Sequence, residues 1–269
     1  MLFNILASRN EPDVVVLSLN GGGRFMSNWN PWHGCTKISP GCYHCYVYRR
    51  DAEFDKDASV VHKTSSFDLP IKKNRRGEYK LQADGDFVYT CFTSDFFHPK
   101  ADEWRIDAWK YIKIRSDLNF FIVTKRPERF YESLPSDWGE GYENVHICCT
   151  CEDQAMTDKR LPIFLELPIK HRSIIHEPML EAIDIRKYLE KYHTRIENVI
   201  CGGESGKDAR LCDYNWILST RVQCIEFGVP FRFKQTGTYF RKDNRIYYIE
   251  RKYQMSQAAK AGIDYKQKD

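Results

Sequence analysis

The sequence predicts an α/β fold, a full or partial β/α barrel that ends in a C-terminal hairpin and helix. Three observations predict it. Six β-rich runs beyond residue 86 alternate with helical patterns, which implies a parallel sheet with right-handed crossovers. Nearly every run ends in a polar cluster, and barrel chemistry sits at the C-terminal strand ends. The 269 residues suit one large domain that can bury a substantial core without disulfides.

The elements follow in order. Val14 to Leu19 reads as a strand, broken by Gly21-Gly22-Gly23. That triple glycine lacks the following Lys-Ser/Thr of a P-loop and reads as a turn. A short strand, Phe25 to Trp29, leads into a cysteine loop, and Tyr46 to Phe54 reads as a helix. Lys72-Lys73-Asn74-Arg75-Arg76-Gly77 is a basic turn, either a solvated hairpin tip or a phosphate contact.

The regular alternation then begins. Phe87 to Phe92 is a strand ending in Thr93-Ser94-Asp95. Asp102 to Leu118 places Trp104, Ala108 and Ile112 at helical spacing. Asn119 to Val123 ends in Thr124-Lys125-Arg126-Pro127, and a short helix follows with Glu128, Phe130 and Tyr131. Val145 to Cys149 ends in Thr150-Cys151-Glu152, and Gln154 to Leu165 reads as a helix interrupted by Pro162. Arg172 to Ile175 ends in His176-Glu177-Pro178, and Ile183 to Tyr192 is helical. Asn198 to Ile200 ends in Cys201-Gly202-Gly203-Glu204-Ser205-Gly206. Asp213 caps a helix with Leu218, Val222 and Ile225 on one face and Gly228 as its stop. Pro230 to Phe233 is the sixth strand, ending in Lys234-Gln235-Thr236-Gly237. Arg241 to Ile249 reads as a hairpin about Asp243-Asn244, and Gln254 to Ala261 as a closing helix. The expected organisation is a barrel over residues 1–237 and an extension, 238–269, packed on it.

Chemistry concentrates first in the loop Asn30 to Tyr46, where Cys35, Cys42 and Cys45 form C-x6-C-x2-C. Pro40-Gly41 is a turn signal that can fold the long spacer back onto the close pair. Three convergent thiolates can bind a metal or an iron–sulfur cluster. No fourth cysteine lies nearby in sequence, so the site is either completed from afar or left open. Three readings stand: a [4Fe-4S] cluster with an open iron, a zinc site completed by His33, His44 or a distant cysteine, and inert thiols. Cys149 and Cys151 alternate with Cys148 across a strand and read as small core residues, as do Cys91, Cys201, Cys212 and Cys224.

The strand-end polar residues Asp95, Lys125, Arg126, Glu152, Glu177, Glu204, Lys234 and Gln235 would share one mouth with the cysteine loop. Each alone can simply cap a helix or close an ion pair. Their recurrence after successive strands is what points to a site. The formal charge of +4 does not suit a chain that is basic throughout, although local basic patches remain. Ten cysteines are too few for a disulfide scaffold of this length. The start, Met1 to Asn10, lacks a signal-peptide pattern, and Val14 to Leu17 is too short to span a bilayer. The expectation is a cytoplasmic protein with reduced thiols and no membrane partner.

The segment Trp29-Asn30-Pro31-Trp32-His33-Gly34-Cys35 with Ser39-Pro40-Gly41-Cys42-Tyr43-His44-Cys45-Tyr46 resembles a phage-type family of radical-SAM-like proteins of unassigned function. The likeness continues through Leu118 to Phe130, His176 to Glu181, Gly202 to Gly206 with Ala209-Arg210, and Gln223 to Gln235. The resemblance implies a barrel of the radical SAM type with a [4Fe-4S] cluster on Cys35, Cys42 and Cys45. It further implies S-adenosylmethionine on the open iron, a reductant, and a 5′-deoxyadenosyl radical that abstracts hydrogen from substrate. It gives Thr93, Ser94 and Asp95 the place of a Gly-Gly-Glu that holds the amino group of S-adenosylmethionine. Lys125 or Arg126 takes its carboxylate. Gly202 and Gly203 admit its adenine or ribose, and Tyr43 or Tyr46 packs beside adenine or cluster. Glu152, Glu177, Glu204 and Lys234 complete the expected cofactor-binding set. The usual spacing in that superfamily is C-x3-C-x2-C, and here the first gap is six. The phage-type setting implies a nucleic-acid or nucleotide substrate. A zinc-stabilised nucleic-acid-binding protein is the alternative.

Overall fold

A computed structural model describes residues 14–17, 27–83 and 87–266. The Gly21–Gly23 turn and the first two residues of the expected strand from Phe25 lie outside the described residues.

Seven parallel strands form one sheet: β1 (Asn28–Trp29), β2 (Val88–Thr90), β3 (Phe120–Thr124), β4 (Val145–Thr150), β5 (His171–His176), β6 (Asn198–Gly202) and β7 (Phe231–Gln235). Their order in the sheet is their order in the chain. Edge strands β1 and β7 do not pair with each other, so the curled sheet is half a barrel. Sequential order with one crossover hand sends all connections the same way, which brings the C-terminal ends of the strands to one rim. Among the described residues six α-helices accompany the sheet: α1 (Tyr46–Ala52), α2 (Asp102–Ile114), α3 (Gln154–Phe164), α4 (Arg186–Tyr192), α5 (Tyr214–Glu226) and α6 (Arg251–Lys260).

Strand alternation separates two apolar layers. Phe120, Ile122, Ile147, Cys149, Ile174, Val199 and Phe231 join the large core that includes Ala108, Trp109 and Ile112 of α2. Phe121 and Val123 pack with Cys148, Ile175 and Ile200 in a small cluster on the other face. Cys149 and Cys151 therefore lie together, 4.0 Å apart at sulfur, away from Cys148, and all three are buried as the alternation predicts.

One helix face differs from expectation. In α5 the buried positions are Ile217, Thr220, Gln223 and Cys224, while Val222 and Ile225 are exposed. Gln223 accounts for the rotation. Its amide oxygen accepts from Ile185 N at 2.7 Å and its amide nitrogen donates to Ile183 O at 2.9 Å. Those carbonyl and N–H groups precede α4 and need buried partners. The cap and stop are as expected: Asp213 accepts from Asn215 N at 2.8 Å, and Gly228 has φ +68°. Pro162 sits inside the last turn of α3 without dividing it. The helical segment after Arg126 is a single 3-10 turn, Pro127–Arg129.

The tail begins at Thr238 with β8 (Tyr239–Lys242) and β9 (Arg245–Ile249), joined by Asp243 and Asn244. Both linking residues have positive φ, 51° and 60°, the geometry of a two-residue hairpin turn. Strand Val14–Leu17 pairs in parallel with β9, and Cys212–Asp213 pairs with β8, so the small sheet draws on both ends of the chain. Phe240, Ile249, Tyr253 and Ala258 belong to the same core as the barrel strands.

Candidate functional site

The cysteine loop lies across the C-terminal ends of β1 to β4. Gly34 N donates to Thr93 O at 3.1 Å, and Cys35 N donates to Ala58 O at 2.8 Å. The Ser94 hydroxyl donates to Gly34 O, and the Thr93 hydroxyl donates to Trp32 O at 3.3 Å. Gly34 has φ +88°, and a Cβ there would stand 2.3 Å from Val60 O, so only glycine fits.

Asp95 and Arg126 join this loop to β2 and β3. The Asp95 carboxylate accepts from Thr124 Oγ1 at 2.8 Å, Lys125 N at 2.9 Å, Phe97 N at 3.0 Å and Arg126 Nη1 at 3.0 Å. Arg126 also donates to Thr36 O and Thr36 Oγ1, both at 2.9 Å, and reaches Cys35 Sγ at 3.6 Å. Burial pushes the Asp95 carboxyl up, but Arg126 and the three other donors override it and hold it below the usual range. Burial pushes the Cys35 thiol up to about 11, with Asp95 adding and Arg126 opposing.

Glu152 supports the loop's turn. Its Oε1 accepts from Gly41 N at 3.1 Å and its Oε2 from Arg160 Nη1 at 2.6 Å. A Cβ on Gly41 would meet the Glu152 carboxyl carbon at 2.9 Å, so the glycine permits the contact. Burial opposes ionisation of Glu152, and nearby Lys125, Arg160 and Ser39 reverse that effect and lower its pKa.

Cys35, Cys42 and Cys45 are half-buried and unpaired, whereas the other seven cysteines are buried. Cys42 lies in the 3-10 turn Pro40–Cys42, and Cys45 is the N-cap residue of α1. The Tyr48 hydroxyl donates to Cys35 O. Burial raises the Tyr48 pKa first, and the thiols of Cys35, Cys45 and Cys42, with Asp57, push the same way. Three free thiols in one loop have the soft donor chemistry of three-thiolate ligation. Among the described residues no three His, Cys, Asp or Glu side chains converge closely enough to hold a metal ion, so the thiols would have to draw together around one. His33, a candidate fourth ligand, bonds Asp51 Oδ2 through Nε2 at 2.6 Å.

The other expected residues divide by commitment. Glu204 is held by Arg210, through Nε at 2.9 Å and Nη2 at 2.6 Å. Glu177 accepts from Lys234 Nζ at 2.7 Å and Gln235 Nε2 at 2.6 Å. This Glu177–Lys234 pair is partly exposed. The Lys125 side chain is half-buried and makes no hydrogen bond or ion pair among the described residues. Gly202 and Gly203 admit the chain itself. A Cβ on Gly203 would lie 2.2 Å from Thr236 O, and one on Gly202 would lie 3.0 Å from Gln235 Cγ. Tyr43 is 61% exposed beside the thiols. The Tyr46 ring is partly exposed, but its hydroxyl is sunk against Phe92 O, and burial pushes its pKa up.

The basic turn is a hairpin tip, with Asn74 Oδ1 accepting from Arg76 N at 2.8 Å and Glu78 N at 3.1 Å. Its flanks rest on Arg115 at the C-terminal end of α2, through Pro70 O at 2.7 Å and Leu81 O at 2.9 Å. That end of α2 leads into the start of β3, opposite the cysteine rim.

Sequence reasoning gave no role to Arg49, Arg160 or Arg210, which fix the loop's helix, Glu152 and Glu204. Arg49 donates to Ser205 O across Gly206. The signal for Arg210 was its place six residues beyond Glu204. Arg49 and Arg160 stand on helices among other charges and carried no signal.

A family model described as "Protein of unknown function (DUF5131)" matches residues 25–267, so the chain belongs to that family. No curated protein and no solved structure matches it.

Proposed function

We propose that this member of the DUF5131 family is an iron–sulfur enzyme of the radical S-adenosylmethionine type, with Cys35, Cys42 and Cys45 as the cluster ligands. One observation carries the reading. Of ten cysteines, only these three are half-buried, and all three belong to the loop that is bonded to the residues following β2, β3 and β4. Barrel chemistry belongs at such strand ends.

A [4Fe-4S] cluster with one open iron supplies the electron for reductive cleavage of S-adenosylmethionine. The chain's own residues do the rest. Arg126, Asp95, Ser94 and Glu152 hold the loop in place. They are positioning residues, because their polar atoms are already bonded within the protein. Lys125, which makes no hydrogen bond or ion pair among the described residues, is the cation available to the cofactor carboxylate, and the Glu177–Lys234 pair offers both signs of charge to a zwitterion. The substrate class we favour is a nucleotide or nucleic acid. Exposed Tyr43 supports it with a stacking surface, and Lys125 and Lys234 support it with charge. The basic turn lies at the other end and plays no part in this reading. Among the described residues no helix is long and apolar enough to cross a membrane.

The test is anaerobic reconstitution with iron and sulfide, reduction with dithionite, and chromatographic detection of 5′-deoxyadenosine from added S-adenosylmethionine. Wild type should form it and Cys42→Ala should not. A fully loaded cluster that yields none would leave a structural or electron-transfer centre in place of the enzyme. A colourless protein with one bound zinc would support the binding-protein alternative.

A further inference from the structure

A second concave site lies behind the cysteine loop, between α1, the loop after β6 and the C-terminal extension. Its volume is about 570 Å³, within the roughly 300–1,000 Å³ typical of small-molecule sites. Three cations line it from three separate elements: Arg49 from α1, Lys207 from the loop and Arg251 from α6. None of the three forms an ion pair among the described residues.

The site is shaped by its own constraints. Arg49 spends one guanidinium nitrogen on Ser205 O, and a Cβ on Gly206 (φ +119°) would overlap that guanidinium. The glycine therefore seats the arginine at the edge of the cavity with further N–H groups to spare. Arg251 opens α6, a helix of 10 residues whose N-cap Glu250 makes no side-chain cap bond. The Glu250 carboxylate at that helix end pairs with Lys252 at 3.0 Å. Tyr248 and Ile249 also line the cavity, and Tyr248 is braced edge-on by Tyr239 at 5.8 Å between centroids. Glu53 and Asp208 also line the cavity, so its charged side chains sum to one positive charge, three cations less two carboxylates.

We propose that this cavity binds a nucleoside monophosphate. The phosphate would rest among Lys207, Arg251 and Arg49, and the base against Tyr248. Phosphate recognition by several cations, with an aromatic side chain for the base, is the chemistry the lining offers. The site goes beyond the cluster reading and does not depend on it.

Equilibrium dialysis of the full chain against AMP, adenosine and inorganic phosphate tests it, with circular dichroism confirming that each variant is folded. AMP should bind saturably at one per chain and more tightly than adenosine or phosphate. Lys207→Ala with Arg251→Ala should weaken AMP by at least about tenfold, the loss expected for charge-assisted hydrogen bonds. Tyr248→Ala should weaken AMP and leave phosphate unchanged, and Asp208→Asn should tighten both. The double variant Cys42→Ala, Cys45→Ala should bind AMP as wild type does, which separates this site from the cluster. Absence of saturable AMP binding overturns the proposal. So does binding that survives the Lys207/Arg251 change or is lost with the cysteines.

Discussion

Asp95 and Arg126 meet at 3.0 Å in a buried ion pair whose arginine also grips Thr36 and Cys35. The pair therefore couples two strand ends to the cysteine loop. Removing either partner leaves the other charge buried and uncompensated, at a cost of about 3–5 kcal/mol. Urea unfolding of Asp95→Asn and Arg126→Met should each show a loss of that order. The double variant should lose clearly less than their sum, because no orphaned charge remains. Single losses below about 1 kcal/mol would mean that the pair does not hold the loop.

Acid should destabilise the protein before its carboxylates titrate. Burial pulls the His176 pKa down to about 4, opposed by its hydrogen bond to Cys151 O at 2.6 Å. The carbonyl can only accept, so Nδ1 carries the proton and Nε2 is left without a partner among the described residues. The unfolded chain protonates near the ordinary imidazole value of about 6.5, well before the folded one. The stability that this neutral histidine contributes is complete above that value. It is lost as pH falls towards 4, at about 1.4 kcal/mol per pH unit. His98, lowered to about 4 chiefly by burial, adds a second contribution of the same sign. Denaturation midpoints between pH 6.5 and 4.5 should fall steadily, and His176→Phe should flatten the slope. An unchanged slope in that variant would remove His176 from the account.

The glycine pair after β6 should respond unequally to alanine. At Gly203 the new Cβ would strike the backbone oxygen of Thr236 at 2.2 Å, whereas at Gly202 it would meet mainly the Gln235 side chain at 3.0 Å. Gly203→Ala should cost about 1–3 kcal/mol or more, the range for overpacking, and Gly202→Ala should cost less. Thermal melts of the two variants check the order.

Lys125 should matter more for binding than for folding: its side chain makes no hydrogen bond or ion pair among the described residues, and its charge acts on buried Glu152 without direct contact. Lys125→Ala should cost about 1 kcal/mol in unfolding, because Glu152 loses one of the charges that keep it ionised. In the reconstituted protein it should weaken S-adenosylmethionine by roughly tenfold, the loss of one charge-assisted contact. Calorimetric titration beside a melt distinguishes this from a merely structural lysine.

The half-barrel was legible because its signals are local. Alternating β-rich and helical runs placed six of the seven sheet strands to within about two residues, and Asp213, Gly228 and Asp243-Asn244 marked a cap, a stop and a turn. The buried face of α5 was not legible. It is set by Gln223 reaching an N–H group 38 residues away and a carbonyl 40 residues away, which no helical period encodes. At the rim, residue type and place were readable, but commitment was not. Asp95, Glu152 and Glu204 look like free carboxylates in sequence, and their arginine partners come from later turns and helices of the chain. Gly202 and Gly203 suggested room for a ligand, and the space is filled by the end of β7.

Metal content tests the central claim most directly. Iron, sulfide and zinc should be measured after anaerobic purification and reconstitution, together with a visible spectrum, for wild type and Cys42→Ala. The account predicts a brown wild-type protein with about four irons and four sulfides per chain, and loss of both in the variant. A colourless wild type, or iron retained in full by Cys42→Ala, would contradict it.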